Sequence, residues 1–280
     1  MKRYISLMLT LLLLFSLCAC GQSPDDTQGE EEYLSVQEPA PQEEEPEEEP
    51  QQENPVDELP QPFEPVVPAS EAVSEDWFAD AAFIGDSVSV MLQYYNDAYG
   101  TLGKATFLCS ESLSPAVALS YTAGHERLPE YPKGSGQRPR LEDAVSASGA
   151  SKVYVMLGMN CIAGGVDRAC QDLVTLIDTI LAKAPDATIL VQPVTPMTET
   201  SPRADAALNN ETIAAYNAKV LEVCREREWY YVESREALSN EAGYLRDDYS
   251  GDKAMGIHLN YNGAAAWAEY LLTHVPEALK

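Results

Sequence analysis

Residues 77–280 predict an α/β domain built on a parallel sheet with both faces covered. Short apolar runs without polar alternation recur at 81–84, 105–109, 152–157, 188–192 and 229–232, the pattern of strands buried on both sides. Amphipathic stretches at 87–98, 141–148, 166–183, 209–228 and 263–274 read as helices, so strand and helix alternate. In open sheets of this kind ligands bind beyond the carboxyl ends of the strands, and here the residues able to do chemistry follow the strands.

The first run, Ala81-Ala82-Phe83-Ile84, leads into the turn Gly85-Asp86-Ser87 and then into Val88 to Tyr95, the opening of a helix. First-turn N–H groups of a helix have no intrahelical partner and carry the positive end of its dipole, so Ser87 borders a preformed site for negative charge. Gly, Asp and Ser are also common turn and cap residues, and three residues alone leave a plain N-cap as the alternative. The second run ends in Cys109-Ser110-Glu111-Ser112. The third leads into Gly158-Met159-Asn160, where Gly158, Gly164 and Gly165 permit close backbone approach. In the helix at 209–228, Ile213, Tyr216, Val220 and Cys224 share one face, with Lys219, Glu222, Arg225 and Glu226 off it. His258 sits in Met255-Gly256-Ile257-His258-Leu259-Asn260, just ahead of the last helix. A hydroxyl, an imidazole and an amide donor therefore fall on one predicted edge, the set that acyl transfer uses.

Other features carry plainer readings. His125 and His274 read as ordinary histidines, and Asn160 taken alone as a turn residue. The loop 124–140, with Arg127, Tyr131, Lys133, Arg138 and Arg140, reads as a solvated surface loop in preference to a rim for an acidic or sugar-like substrate. Tyr94, Tyr95 and Tyr99, at helical spacing, read as packing in preference to a sugar platform.

The N-terminal quarter is of a different kind. Lys2 and Arg3 precede an apolar run at 5–17, shorter than the ~20 residues of a membrane span. Leu17-Cys18-Ala19-Cys20-Gly21 resembles a bacterial lipobox, which makes residues 1–19 a lipoprotein signal peptide and Cys20 the lipidated residue; the alternative is an ordinary signal peptide with incidental cysteines. Residues 21–76 hold 19 acidic residues, ten prolines and no Lys or Arg, so residues 20–76 are expected to be a disordered tether. The net charge of −27 mostly belongs to that tether, and with no basic stripe elsewhere nucleic acid is disfavoured as a partner. Cys109, Cys161, Cys170 and Cys224 lack zinc-like spacing; an extracytoplasmic location permits disulfides, but a domain of this size does not require them, and most of the four are expected to be free, buried thiols.

The ordered blocks Phe83-Ile84-Gly85-Asp86-Ser87, Gly158-Met159-Asn160 and Gly256-Ile257-His258-Leu259 make residues 83–275 resemble the SGNH, or GDSL, hydrolase family. Asn210 to Tyr216-Asn217, with Pro193 and Pro196, resembles the segment that this family has before its last strand. The resemblance implies a flavodoxin-like three-layer α/β/α fold with a five-stranded parallel sheet, and ester or acyl hydrolysis with no cofactor and no metal. It implies Ser87 as nucleophile, His258 as base, and an oxyanion hole formed by the Ser87 N–H, the Asn160 side chain and an N–H from Ser110 or Ser112. Two positions depart from the family pattern. The aspartate expected three residues before the histidine is Met255, which leaves Asp252 as the nearest upstream acid, ahead of Asp248 and Asp247, or else a main-chain oxygen, to orient the imidazole. The glycine expected after the second strand has no match in Cys109-Ser110-Glu111-Ser112.

The expectation is thus an extracytoplasmic, lipid-anchored serine esterase, with catalytic Ser87, His258 and Asp252 and with oxyanion donors from Ser87, Asn160 and Ser112. Its expected partners are an acylated, chiefly O-acetylated, carbohydrate or another small ester, and the membrane through lipid on Cys20. The alternatives are a catalytically weak surface-binding lipoprotein, suggested by Met255, and an O-acyltransferase using the same residues.

Overall fold

A computed structural model of the protein describes residues 62–201 and 206–280. The expected signal peptide, Cys20 and most of the expected tether lie outside the described residues.

The five apolar runs form one parallel sheet. Its strands are β1 (Ala81–Gly85), β2 (Thr106–Cys109), β3 (Lys152–Met156), β4 (Thr188–Val191) and β5 (Tyr230–Tyr231), in the order β2-β1-β3-β4-β5. The helices are α1 (Ser87–Tyr99), α2 (Pro115–Ser120), α3 (Leu141–Ser148), α4 (Val166–Leu181), α5 (Asn210–Arg227), α6 (Arg235–Leu238) and α7 (Tyr261–Thr273). Alternate strand residues enter two separate cores. Ala82, Ile84, Val153, Val155, Ile189 and Val191 pack with side chains of α3, α4 and α5. Ala81, Phe83, Tyr154, Met156 and Leu190 pack with side chains of α1, α6 and α7. Both faces of the sheet being covered, neither can be polar, which is why the strands read as unbroken apolar runs.

α2 and α6 escaped the sequence reading because neither is long enough to display a period, although Ser114, whose hydroxyl accepts the Val117 N–H, and Pro115 at the first helical position mark the start of α2.

The expected tether extends too far toward the domain. Tyr231 N–H donates to Pro65 O (2.6 Å) and Val67 N–H to Tyr231 O (2.9 Å), a parallel bridge on the outer edge of β5. Ser70 and Val73 then donate to the carbonyls of Thr273 and Leu272 at the end of α7. Phe63 packs against Tyr230 with tilted rings whose centroids are 5.4 Å apart, and Val67 is buried. Acidic residues are sparse after Glu58, and the apolar side chains among them suffice to dock this strap and satisfy a sheet edge that would otherwise expose backbone groups.

β1 and β3 are neighbours whose connections diverge, that of β1 running through α1 on one face and that of β3 through α4 on the other, the place where doubly wound sheets open a crevice.

Candidate active site

β1 stops at Gly85, where a side chain could not fit: a Cβ there would lie 2.0 Å from Ser89 Oγ and 2.3 Å from Ser89 Cβ. The chain can therefore turn sharply from strand into α1. Asp86 caps that helix, its Oδ1 accepting the Val88 N–H at 3.0 Å, and Ser87 becomes the first helical residue, with its N–H among the donors that a helix start leaves open.

Ser87 Oγ lies 3.0 Å from His258 Nε2, and His258 Nδ1 lies 2.5 Å from Asp252 Oδ2. Asp252 also accepts the N–H groups of Met255 (2.5 Å), Gly256 (3.1 Å) and His258 (3.1 Å), so its carboxylate is folded back into the loop that carries the histidine. Burial opposes the charge of Asp252, but the hydrogen bonds from Met255, the His258 ring and the other N–H groups prevail and bring its pKa down to about 2. An ionised partner at Nδ1 fixes the proton there and leaves Nε2 as the acceptor for the Ser87 hydroxyl. Of the two candidate orienters, the carboxylate and not a main-chain oxygen faces the ring. Asp248 pairs instead with Arg246 at 2.7 Å. Met255, at the family's aspartate position, lines the pocket beside the serine.

Asn160 reaches the same pocket after β3. Its approach depends on Gly158, where a Cβ would meet Val194 Cγ2 at 2.5 Å and the Tyr216 ring at 2.6 Å. The Asn160 Nδ2 donates to Asp86 Oδ2 and to Leu113 O, each at 3.2 Å. Asp86 is fully buried, and burial lifts its pKa to about 6 against the Val88 N–H, the nearby His258 and the Asn160 amide. Beyond β2, Ser110 N–H is spent on Gly85 O at 3.1 Å. Ser112 lines the pocket with its backbone in the left-handed region, φ 57°. That is the conformation a glycine adopts without strain, at the position where the family resemblance calls for one.

These groups surround a pocket of about 630 Å³, whose other walls include Met91, Tyr94, Glu111, Met159, Leu208 and Ile257. The remaining sequence candidates lie elsewhere. His125 stacks on Tyr121 and His274 on Tyr270, each at 3.5 Å. In the loop 124–140, Lys133 pairs with Asp97 at 2.5 Å, Arg138 donates to Leu128 O and Arg140 to Tyr121 O, so the loop braces itself and none of its cations lines the pocket. The four cysteines of the domain are free, and burial raises all their thiol pKa values. Among the described residues, no cluster of three or more His, Cys, Asp or Glu is placed to hold a metal ion. Packing describes Tyr95, which lies partly buried on the second core, but Tyr94 is 51% exposed and lines the pocket, and Tyr99 is 67% exposed. Tyr94 stands seven residues after Ser87, two helical turns along one face, and that spacing was the signal that could have placed it.

No curated protein matches the chain in sequence. Among solved structures it is similar to a GDSL-like lipase from Bacteroides thetaiotaomicron, with 14% identity over 68% of this chain and 84% of that one and a TM-score of 0.52. It is equally similar to a protein assigned as an acylhydrolase from Bacteroides fragilis, with 14% identity over 68% of this chain and 83% of that one and a TM-score of 0.52. At such identities the likeness is one of fold. Residues 83–266, which run from the serine turn past the histidine loop, match the model of the GDSL-like Lipase/Acylhydrolase family, and the chain belongs to that family.

Proposed function

We propose that this esterase or acylhydrolase works outside the cytoplasm on O-acyl groups, chiefly O-acetyl, of carbohydrate, through an acyl-enzyme on Ser87. The observation that carries the mechanism is the continuous line from Ser87 Oγ through the His258 ring to the Asp252 carboxylate. His258 Nε2 takes the hydroxyl proton as Oγ bonds to the acyl carbon, and returns it to the leaving alcohol as the ester C–O bond breaks. Water, deprotonated by the same nitrogen, then releases the acid and restores Ser87. Asp252 holds the ring and offsets its transient positive charge. The oxyanion receives the N–H groups of Ser87 and Ser112 and a share of Asn160 Nδ2, which loosens one of its two 3.2 Å bonds to do so.

Context supports the substrate and location: a lipobox-like Cys20 followed by an acidic, proline-rich stretch is suited to a domain held at the cell surface, where esterified glycans are plentiful. A catalytically weak binder was suggested by Met255, and a carboxylate on His258 Nδ1 removes that ground.

The purified protein should release p-nitrophenol from its acetate ester, and Ser87→Ala should abolish the release; equal activity in both proteins would end this assignment. Acetate released from O-acetylated polysaccharide tests the substrate. Absence of lipid-precursor labelling at Cys20, or cleavage unaffected by signal peptidase II inhibition, would count against the anchor.

A further inference from the structure

Among the described residues, the exposed large apolar side chains are Val66, Tyr94, Tyr99 and Tyr261, and the three tyrosines stand on neighbouring parts of α1 and α7. Tyr99 packs against Tyr95 with ring centroids 4.7 Å apart, and Tyr261 lies 6.2 Å from both. Tyr95, partly buried on the core beneath, holds the cluster in place. Tyr94 and Met91 belong to the pocket wall, and Met91, Tyr95 and Tyr99 follow Ser87 at four-residue intervals along one row of α1, so the cluster continues from the pocket along that row.

We propose that Tyr99 and Tyr261, seated on Tyr95, form a binding face for the glycan chain that carries the ester, reached from Ser87 along the row of α1 that passes Met91 and Tyr95. This rests on the glycan-ester reading above and assigns it a residue-level subsite. A pyranose ring has an apolar C–H face and a rim of hydroxyls, and a half-exposed tyrosine offers the complement, an aromatic face with a hydroxyl at its tip. Reach also fits. Seven residues of helix separate Ser87 from Tyr94 and twelve separate it from Tyr99, about 10 Å and 18 Å along the axis, farther than a single sugar and within reach of a chain. Two exposed rings are far smaller than the roughly 800 Å² per partner of a stable protein interface, which argues against a second copy as the occupant. An acyl chain would find hydroxyl-bearing rings where it needs aliphatic walls.

The test uses the full chain and its Tyr99→Ala/Tyr261→Ala variant, which leaves the pocket walls untouched. Substrates are p-nitrophenyl acetate, p-nitrophenyl octanoate, O-acetylated xylan and O-acetylated peptidoglycan. KM for the polymer that the wild type deacetylates should rise about tenfold, equivalent to about 1.4 kcal/mol shared between the two rings. Turnover of p-nitrophenyl acetate should stay at the wild-type level, and Tyr99→Phe/Tyr261→Phe, which keeps the rings, should retain most of the polymer activity. An unchanged KM on the polymer would overturn the tyrosine face while leaving the glycan reading standing. A wild type that cleaves the small acetate but neither polymer would overturn both. A loss confined to the octanoate would assign the face to an acyl chain, and a wild-type dimer that the double substitution makes monomeric would assign it to a second copy; either overturns the proposal.

Discussion

Asp252 takes hydrogen bonds from three main-chain N–H groups and one ring nitrogen, all within its own loop. Asp252→Asn should therefore lower kcat by about 10³-fold or more on p-nitrophenyl acetate with a smaller change in KM, because the amide favours the wrong imidazole tautomer; a modest loss would return the orienting role to a main-chain oxygen. Asp86 offers a second test at the same scale. Its folded pKa of about 6 lies above the ordinary 3.8, so between those values the folded protein binds more protons than the unfolded chain. Its contribution is thus most favourable below 3.8 and is lost as pH rises through 6. The melting temperature of the wild type relative to Asp86→Asn should fall between pH 4 and pH 7, and a constant difference would contradict the burial argument. Asn160→Ala should cost about 10²–10³ in turnover, with Ser87 labelling by a fluorophosphonate falling in parallel. The serine, histidine and asparagine were legible because each sits in a block of fixed residue types. The choice of Asp252 was not, since a six-residue offset says nothing of how the intervening loop folds until the bonds to Met255 and Gly256 are seen.

At the scale of elements, the junction of β1 and α1 sets the position of the nucleophile. Gly85→Ala would drive a methyl group into Ser89, displacing the start of α1 and with it Ser87. Activity should collapse, and Ser89→Gly on top of it, which removes both clashing atoms, should restore part of it; failure of the second change to help would place the damage elsewhere. The five strands and the five longer helices were legible from apolar runs and period. The strap at residues 63–76 was not, because a single bridging residue and two carbonyl contacts leave no periodic trace, and the acidic, proline-rich composition before it masked the change. A protein of residues 77–280 should melt about 5 °C or more below one of residues 62–280 and aggregate more readily, through loss of the Val67 contact and exposure of the β5 edge. Equal melting temperatures would make the strap incidental.

For the molecule as a whole, the sheet order decides which loops meet. With β1 flanked by β2 and β3, the loops bearing Ser87, Ser112 and Asn160 share one end of the sheet, and the loop before α7 brings His258 to them. The sequence order of these blocks was readable, whereas their convergence is a property of strand order, which no single run of residues encodes. The same order separates two ends of the molecule's business. Strand β5, which the strap grips, is parted from β1 by β3 and β4. A tug arriving through residue 62 would first be shouldered by the far rim of the sheet, and only after that grip had peeled would the load pass to the end of α7.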